Sequence, residues 1–374
     1  WADLVIPSPG IPRDHPLLTH AKKVLSEIEV ASSLLSGKLI AVTGTNGKTT
    51  TTTLIYEILK KAGLDVGLGG NISPPLISLA EHNPAYIAAE ISSFQLEWIE
   101  RFRPYISICM NITPDHLDRY HDMAEYAAYK LKIFENQEAA DYSIVNDDDP
   151  YLKKIDTRAH RIGFSLKQGA SPDGAYMENS RVIFTGDIAG QGPALPDEKI
   201  FGTGVMEDML AAALVARVLG IENSIAQEVF QNFTVIHHRL EHIATLGGVR
   251  FIDDSKATNV GAVEKALSGT SGKVIIILGG KDKGGDFSRM AARYKDMIKK
   301  AVIIGEATER IVSEISNLVD CVTASDMEEA VSLAYSVAVS GDTVMLSPGC
   351  SSFDMYKSYA DRGDVFIRCV NELK

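Results

Sequence analysis

What this sequence has little of closes off several classes of protein. Its four cysteines, Cys109, Cys321, Cys350 and Cys369, include no Cys-x-x-Cys pair. This argues against a disulfide framework or a cysteine zinc site and fits free thiols in a reducing cytoplasm. No apolar run approaches the ~18 residues of a membrane span, and no signal peptide is visible, so neither membrane insertion nor export is expected. Basic residues are outnumbered, 37 Lys and Arg against 49 Asp and Glu, for a net charge of −12. That balance argues against a nucleic-acid partner while leaving room for a local phosphate site. No guanine-reading Asn-Lys-x-Asp occurs, which sets aside a GTPase. The chain starts at Trp1 without Met and enters a candidate strand, Ala2–Ile6, at once, as if cut from something longer.

What is present is enough for ordinary cores: 374 residues, 45% of them hydrophobic, with a length that suggests two or three domains. The organising stretch is Leu39-Ile40-Ala41-Val42, a buried strand, followed by Thr43-Gly44-Thr45-Asn46-Gly47-Lys48-Thr49-Thr50. A strand, a glycine turn and a helix running to about Ala62 make a phosphate cradle. Backbone N–H groups and the positive helix end face the anion. Lys48 adds a point charge for the outer phosphates, and Thr49 a hydroxyl for the Mg2+ that accompanies ATP. Val42 stands where the full P-loop signature has another glycine, so the match is to the short form G-x-x-G-K-T-T.

Downstream, Val66–Ile72 is glycine-rich and reads as a turn or a close backbone approach. The strand Tyr86–Ile91 carries one charge, Glu90, at its C-terminal end before Ser92-Ser93-Phe94-Gln95. That is where a metal-nucleotide enzyme places its Mg2+ acceptor, though a glutamate capping the next helix would look the same. Strand Tyr105–Ile112 ends in Thr113-Pro114-Asp115-His116, which sets His116 at the same sheet edge, either structural or functional. Asp122 with Glu125 starts a helix whose apolar stripe, Met123, Tyr126, Ala127, Leu131 and Phe134, includes Lys130. A lysine there either snorkels to water or is buried, and burial favours a neutral amine able to take up CO2 as a carbamate.

Strand Asp141–Val145 follows, and from there to about Gly204 the composition suggests a small β addition. A helix over Glu207–Gly220 precedes a boundary near Ile236. The last third alternates strands Val249–Asp253, Lys273–Leu278, Ala301–Ile304 and Thr343–Leu346 with helical stretches, the pattern of a parallel sheet with right-handed crossovers. Three of its strand ends carry polar or basic residues, at Asp254–Asn259, Gly279–Gly284 and Ser347–Asp354, where open α/β sheets bind ligands. The fold class expected is α/β: residues 1–35 as the remnant of an N-terminal α/β domain, 36–235 as a P-loop central domain with a parallel sheet, and 236–374 as a Rossmann-like domain.

The blocks Ser8-Pro9-Gly10-Ile11, Gly44–Thr49, Gly69-Gly70-Asn71-Ile72, Glu90–Glu97, Asp115-His116-Leu117-Asp118-Arg119, His238-Arg239-Leu240-Glu241, Asp254–Asn259 and Ser347–Asp354 together resemble the Mur ligases. The resemblance runs from Ala2 nearly to the C-terminus, with most of the family's UDP-holding first domain missing. It implies an amide ligase of peptidoglycan synthesis in the cytoplasm, monomeric, with small-molecule substrates. ATP activates the carboxylate of UDP-N-acetylmuramoyl-L-alanine, and the amine of D-glutamate attacks the acyl phosphate. By carry-over, Gly44, Thr45, Asn46, Gly47, Lys48, Thr49, Thr50, Arg239 and Asp254 would bind ATP. Thr49 and Glu90 would hold one Mg2+, with His116 and carbamylated Lys130 at a second; Lys48, Glu90, His116 and Lys130 are the catalytic set. Gly10, Asn71 and Ser92 would meet the muramoyl substrate. Lys256, Thr258, Lys283, Ser352, Phe353 and Tyr359 would form the D-glutamate pocket, Lys283 pairing a carboxylate. Gly204-Val205 and Asp208 depart from the family's His-Asn and Asn near the adenine, Ser73 stands where a Gly is usual, and Tyr359 replaces the common Phe. The lysine- or diaminopimelate-adding members carry an Asn-Pro-Arg that is absent here. Folylpolyglutamate synthase and a non-catalytic nucleotide-binding paralogue are the other readings.

Overall fold

The computed structural model describes residues 2–117, 119–168, 172–234 and 237–373, with backbone alone for 199–201. Asp118 and the boundary expected at Ile236 lie outside the described residues. The chain divides into two compact units: Trp1–Thr113, Arg119–Asp197 and Gly204–Phe233 in the first; Pro114–Asp118, Glu198–Thr203 and Thr234–Lys374 in the second.

The first unit is built on a sheet of nine described strands: β1 (Lys38–Thr43), β2 (Val66–Gly70), β3 (Tyr86–Glu90), β4 (Ile106–Cys109), β5 (Tyr142–Asn146), β6 (His160–Ser165), β7 (Gly174–Glu178), β8 (Arg181–Thr185) and β9 (Gly190–Ala194). Their order is β2-β3-β1-β4-β5-β6-β7-β8-β9. Pairing is parallel from β2 to β7, and β8 and β9 add on antiparallel. In β1 every residue after Lys38 is buried, as expected of a strand covered on both faces. The order reverses at β1, whose partners are β3 on one side and β4 on the other. At such a switch point the crossover helices leave to opposite faces, and a crevice opens at the strand's C-terminal end. The phosphate-loop sequence emerges there.

The helices are α1 (Pro16–Thr19), α2 (Glu27–Leu34), α3 (Lys48–Lys61), α4 (Ser93–Leu96), α5 (Met123–Leu131), α6 (Glu198–Val218) and α7 (Asn223–Gln231). Two expectations need correcting. Ala2–Ile6 is not a strand; among the described residues Val5 makes an isolated bridge to Val24, with Leu4 and Ile6 exposed. Val66–Gly70 is a strand, not a turn: each of its five residues pairs with β3, which composition alone does not signal. The β addition expected after β5 is there as β6 to β9, which extend the same sheet. Helix α6 also starts earlier than Glu207, with a break at Gly202 (φ 75°, ψ 162°).

The second unit carries β10 (Glu241–Leu246), β11 (Val249–Asp253), β12 (Val274–Gly279), β13 (Ile298–Ile304), β14 (Cys321–Thr323) and β15 (Thr343–Leu346) in the order β10-β11-β15-β12-β13-β14. All pairs are parallel except β10 with β11. Sequence reading missed β10 and β14, the two edges, where burial no longer enforces an apolar run. Helices α8 (Val260–Ser268), α9 (Phe287–Tyr294), α10 (Thr308–Ile315), α11 (Met327–Val337) and α12 (Tyr359–Glu372) cover it. β12 is buried throughout, with one core on each face of the sheet.

Candidate active site

In the first unit the chain leaves β1, turns at Gly44 to Gly47 and enters α3. Gly47 caps that helix at φ 88°, and a Cβ there would lie 2.3 Å from Asp208 Oδ1, so conformation and space both demand glycine. The loop is pinned from β4: Asn111 accepts from Asn46 N at 2.9 Å and donates to Asn46 O at 3.1 Å. Thr45 Oγ1 lies 3.1 Å from Tyr126 Oη and donates to Thr113 O. Lys48 Nζ folds back on its own loop, donating to Gly44 O and Thr45 O at 2.9 Å. Thr49 is half-buried and Thr50 buried at the start of α3.

Lys130 settles between the two readings left open by its stripe: it is 2% exposed. Asp122 caps α5 by accepting from Glu125 N, and this fixes the register that turns Tyr126, Ala127 and Lys130 inward. Its Nζ lies 4.8 Å from the Tyr126 ring centre and donates to Gly44 O at 2.8 Å. Two lysine side chains therefore converge on one loop carbonyl at the phosphate cradle.

Glu90 ends β3 next to β1 and is 4% exposed. Its Oε1 accepts from Asn71 Nδ2 at 2.8 Å, whereas Oε2 is buried with no hydrogen-bond partner among the described residues. A buried carboxylate oxygen left bare is costly, and a cation is what relieves it. The capping alternative fails, since Ser92 itself caps α4 in a reciprocal box with Gln95. Asn71, expected to meet substrate, is thus the group that orients Glu90. Gly10 sits in an exposed turn where an added Cβ would meet nothing within 4 Å.

His116 packs with the second unit and adopts φ 57°. Beside it Asp115, 6% exposed, accepts from Lys283 Nζ at 3.3 Å and from Asn259 Nδ2 at 3.2 Å. Asp115 and Asn259 were absent from the expected site residues; the polar run after β11 held Asn259, but only the fold pairs it with residues 115 and 283. Lys256 Nζ lies 5.5 Å from the Tyr359 ring centre. Thr258 is half-buried and Ser352 buried, while Phe353 is 72% exposed.

Asp254 follows β11, fully buried, accepting from Ser347 Oγ at 2.8 Å and Leu240 N at 3.3 Å. Burial pushes its carboxyl up to about 7, against the pull of Arg239. The residue that sequence reading missed altogether is Arg362 on α12, 1% exposed. Its guanidinium donates to Ser255 Oγ (3.0 Å) and O (2.9 Å), Cys350 O (3.1 Å), Ser351 O (3.3 Å) and Gly279 O (3.5 Å). It ties together the ends of β11, β12 and β15, the three segments that carry the polar clusters. Nothing in the charged helix sequence Tyr359-Ala360-Asp361-Arg362 marks which residue turns inward.

A phosphate loop at a switch point, with a bare buried carboxylate beside it, and a second α/β unit with cationic strand ends define a phosphate-handling ligase architecture. The chain belongs to the Mur ligase family: the Mur ligase middle domain matches over residues 42–192 and the Mur ligase glutamate ligase domain over residues 238–350. Within that family it is 42% identical to the UDP-N-acetylmuramoylalanine–D-glutamate ligase of Geobacter metallireducens, across 100% of this chain and 84% of that one. Among solved structures it is similar to a pseudomurein peptide ligase type C from Methanothermus fervidus (TM-score 0.73, 18% identity, 100% and 87% covered). It is likewise similar to the MurF ligase of Thermotoga maritima in complex with ADP (TM-score 0.71, 16% identity, 100% and 95% covered).

Proposed function

We propose that this chain is an ATP-dependent amide ligase that adds D-glutamate to UDP-N-acetylmuramoyl-L-alanine. The single observation that carries the chemistry is the buried, bare Oε2 of Glu90 at the end of the strand beside a loop on which Lys48 and Lys130 converge. The choice of substrate is supported by the name of the 42%-identical relative.

The reaction balances in two steps. The substrate carboxylate attacks the γ-phosphorus, the bond to the ADP oxygen breaks, and an acyl phosphate forms. The D-glutamate amine then attacks the acyl carbon, a C–N bond forms, phosphate leaves and the nitrogen loses a proton. In this reading the loop N–H groups and Lys48 hold the outer phosphates, releasing Gly44 O and Thr45 O as they do so. Gly44, Thr45, Asn46, Gly47 and Thr50 shape the cradle, and Arg239 and Asp254 are the further candidate nucleotide-binding residues. Lys283 exchanges Asp115 for a substrate carboxylate, with Lys256, Thr258, Ser352, Phe353 and Tyr359 around the amino acid.

The donor set fits Mg2+, a hard cation that favours carboxylate, hydroxyl and phosphate oxygens. Thr49 and Glu90 would hold one ion, with Asn71 aiming Glu90. His116 and a carbamate on Lys130 are the further candidate metal ligands. Bound there, Mg2+ would draw charge from the phosphates. For Lys130, burial at 2% exposure supports the carbamate: a neutral amine adds to CO2 and loses a proton to become an anion. We place the reaction in the cytoplasm, where ATP and the sugar nucleotide are made.

The test is ADP and phosphate release by the full-length protein given ATP, Mg2+, UDP-N-acetylmuramoyl-L-alanine and a panel of amino acids. D-glutamate alone is expected to support turnover. Release driven instead by L-lysine, meso-diaminopimelate or a folate with L-glutamate would overturn the assignment.

A further inference from the structure

Where the chain enters the second unit, two adjacent histidines and one carboxylate converge. His237 Nε2 and His238 Nε2 lie 3.7 and 3.6 Å from Asp364 Oδ1, and the two ring centres are 3.8 Å apart with their planes tilted by 38°. One donor atom from each of the three residues falls within a 4.8 Å group. We propose that His237, His238 and Asp364 form a site for one divalent transition-metal ion of the Zn2+ class, separate from the nucleotide chemistry.

The far side of each ring carries the argument. His238 Nδ1 lies 2.7 Å from Asp253 Oδ2, and His237 Nδ1 lies 2.6 Å from Glu241 Oε2. A ring nitrogen against a carboxylate holds its proton there, which leaves the opposite nitrogen, Nε2, with its lone pair outward. Both lone pairs then face the oxygen of Asp364. In that tautomer the two lone pairs and the carboxylate make a donor set that a cation lying among them would satisfy. A carboxylate behind each metal-binding histidine is the usual supporting arrangement of such sites. Ligands at ~2.0–2.2 Å in tetrahedral geometry lie roughly 3.3–3.6 Å apart, close to the separations found.

The surrounding charge points the same way. Asp253, Glu241 and Asp364 bring three carboxylates around the two rings. Imidazole donors select Zn2+, Co2+ or Ni2+ over Mg2+, which prefers an all-oxygen shell. Three protein ligands leave a fourth position for water.

The backbone is shaped for the arrangement. His238 is held at φ 65°, outside the ordinary range for a side chain of its size. Gly363, beside Asp364 on α12, lets the ring approach: a Cβ at 363 would lie 2.1 Å from His238 Nδ1. An ion here would fasten the first turns of α12 to the segment that carries Arg239. The site is part exposed, His238 buried but His237 and Asp364 open to solvent, so an ion can enter from outside.

The test uses metal-stripped full-length protein titrated with CoCl2, followed by the visible d–d absorption of nitrogen-ligated cobalt, then by displacement with ZnCl2. One equivalent is expected to give the band, and millimolar Mg2+ to leave it unchanged. Asp364→Asn and His237→Ala, both at solvent-exposed positions, are expected to lose it while the protein keeps its native circular dichroism. Glu241→Gln is expected to weaken Zn2+ binding by about 10–100-fold, as for other carboxylates behind a ligating histidine. No band in the native protein, an unchanged band in Asp364→Asn, or displacement by Mg2+ would each overturn the proposal.

Discussion

Replacing Arg362 by lysine gives the sharpest separation between a packing residue and one that shapes the amino-acid end of the site. The guanidinium makes five hydrogen bonds to the segments at Ser255, Gly279 and Cys350–Ser351. Lysine keeps the charge but has one nitrogen, which cannot serve all three segments from a single position. Its three N–H donors can keep at most three of the five bonds, so at least two are lost, and at about 1 kcal/mol for each the fold loses roughly 2 kcal/mol. Against a total of about 5–15 kcal/mol the protein stays folded at 25 °C. A urea titration reads that loss as a lower midpoint at an unchanged slope. Because the loosened segments flank Lys256 and Ser352, the KM for D-glutamate should rise roughly tenfold, equivalent to ~1.4 kcal/mol. The KM for ATP should move much less. Arg362→Lys with the native midpoint and native KM for D-glutamate would refute the reasoning, because it would mean that the three strand ends hold their positions without the fork.

Three further outcomes are expected. Lys130→Ala should abolish turnover while ATP binding, read by equilibrium titration, stays nearly intact and excess bicarbonate restores nothing; normal turnover would remove the carbamate role. Lys283→Ala should raise the KM for D-glutamate more than that for ATP, and equal effects would take Lys283 out of the amino-acid pocket. Asp254 sets a pH dependence: its folded pKa of about 7 exceeds the unfolded value near 3.9. The native state therefore holds more protons between those values, so this contribution is complete below the unfolded value and is lost as pH rises through the folded one. The slope reaches about −1.4 kcal/mol per pH unit inside that window. Unfolding midpoints measured across it should fall less steeply for Asp254→Asn, and parallel curves would contradict the burial argument.

Local signals made much of this protein legible from its sequence. The run Leu39–Val42 with Gly44 and Gly47 specifies strand, turn and helix start, because glycine's backbone freedom and the buried strand's apolarity act within a few residues. Asp122 with Glu125 likewise fixes the helix register that turns Lys130 inward. Edge elements escaped: β10 and β14 have one open side and need no apolar run, and Val66–Gly70 is a strand only because β3 supplies its partners. Only the tertiary structure could decide that Glu90 is left bare on one oxygen and aimed by Asn71, that Asp115 accepts from Asn259 and Lys283, or that Arg362 turns inward to join three strand ends. The physical reason is range. Propensity and capping act over one helical turn, whereas these pairings join residues separated by 11 to 168 positions, and chain packing alone brings them together.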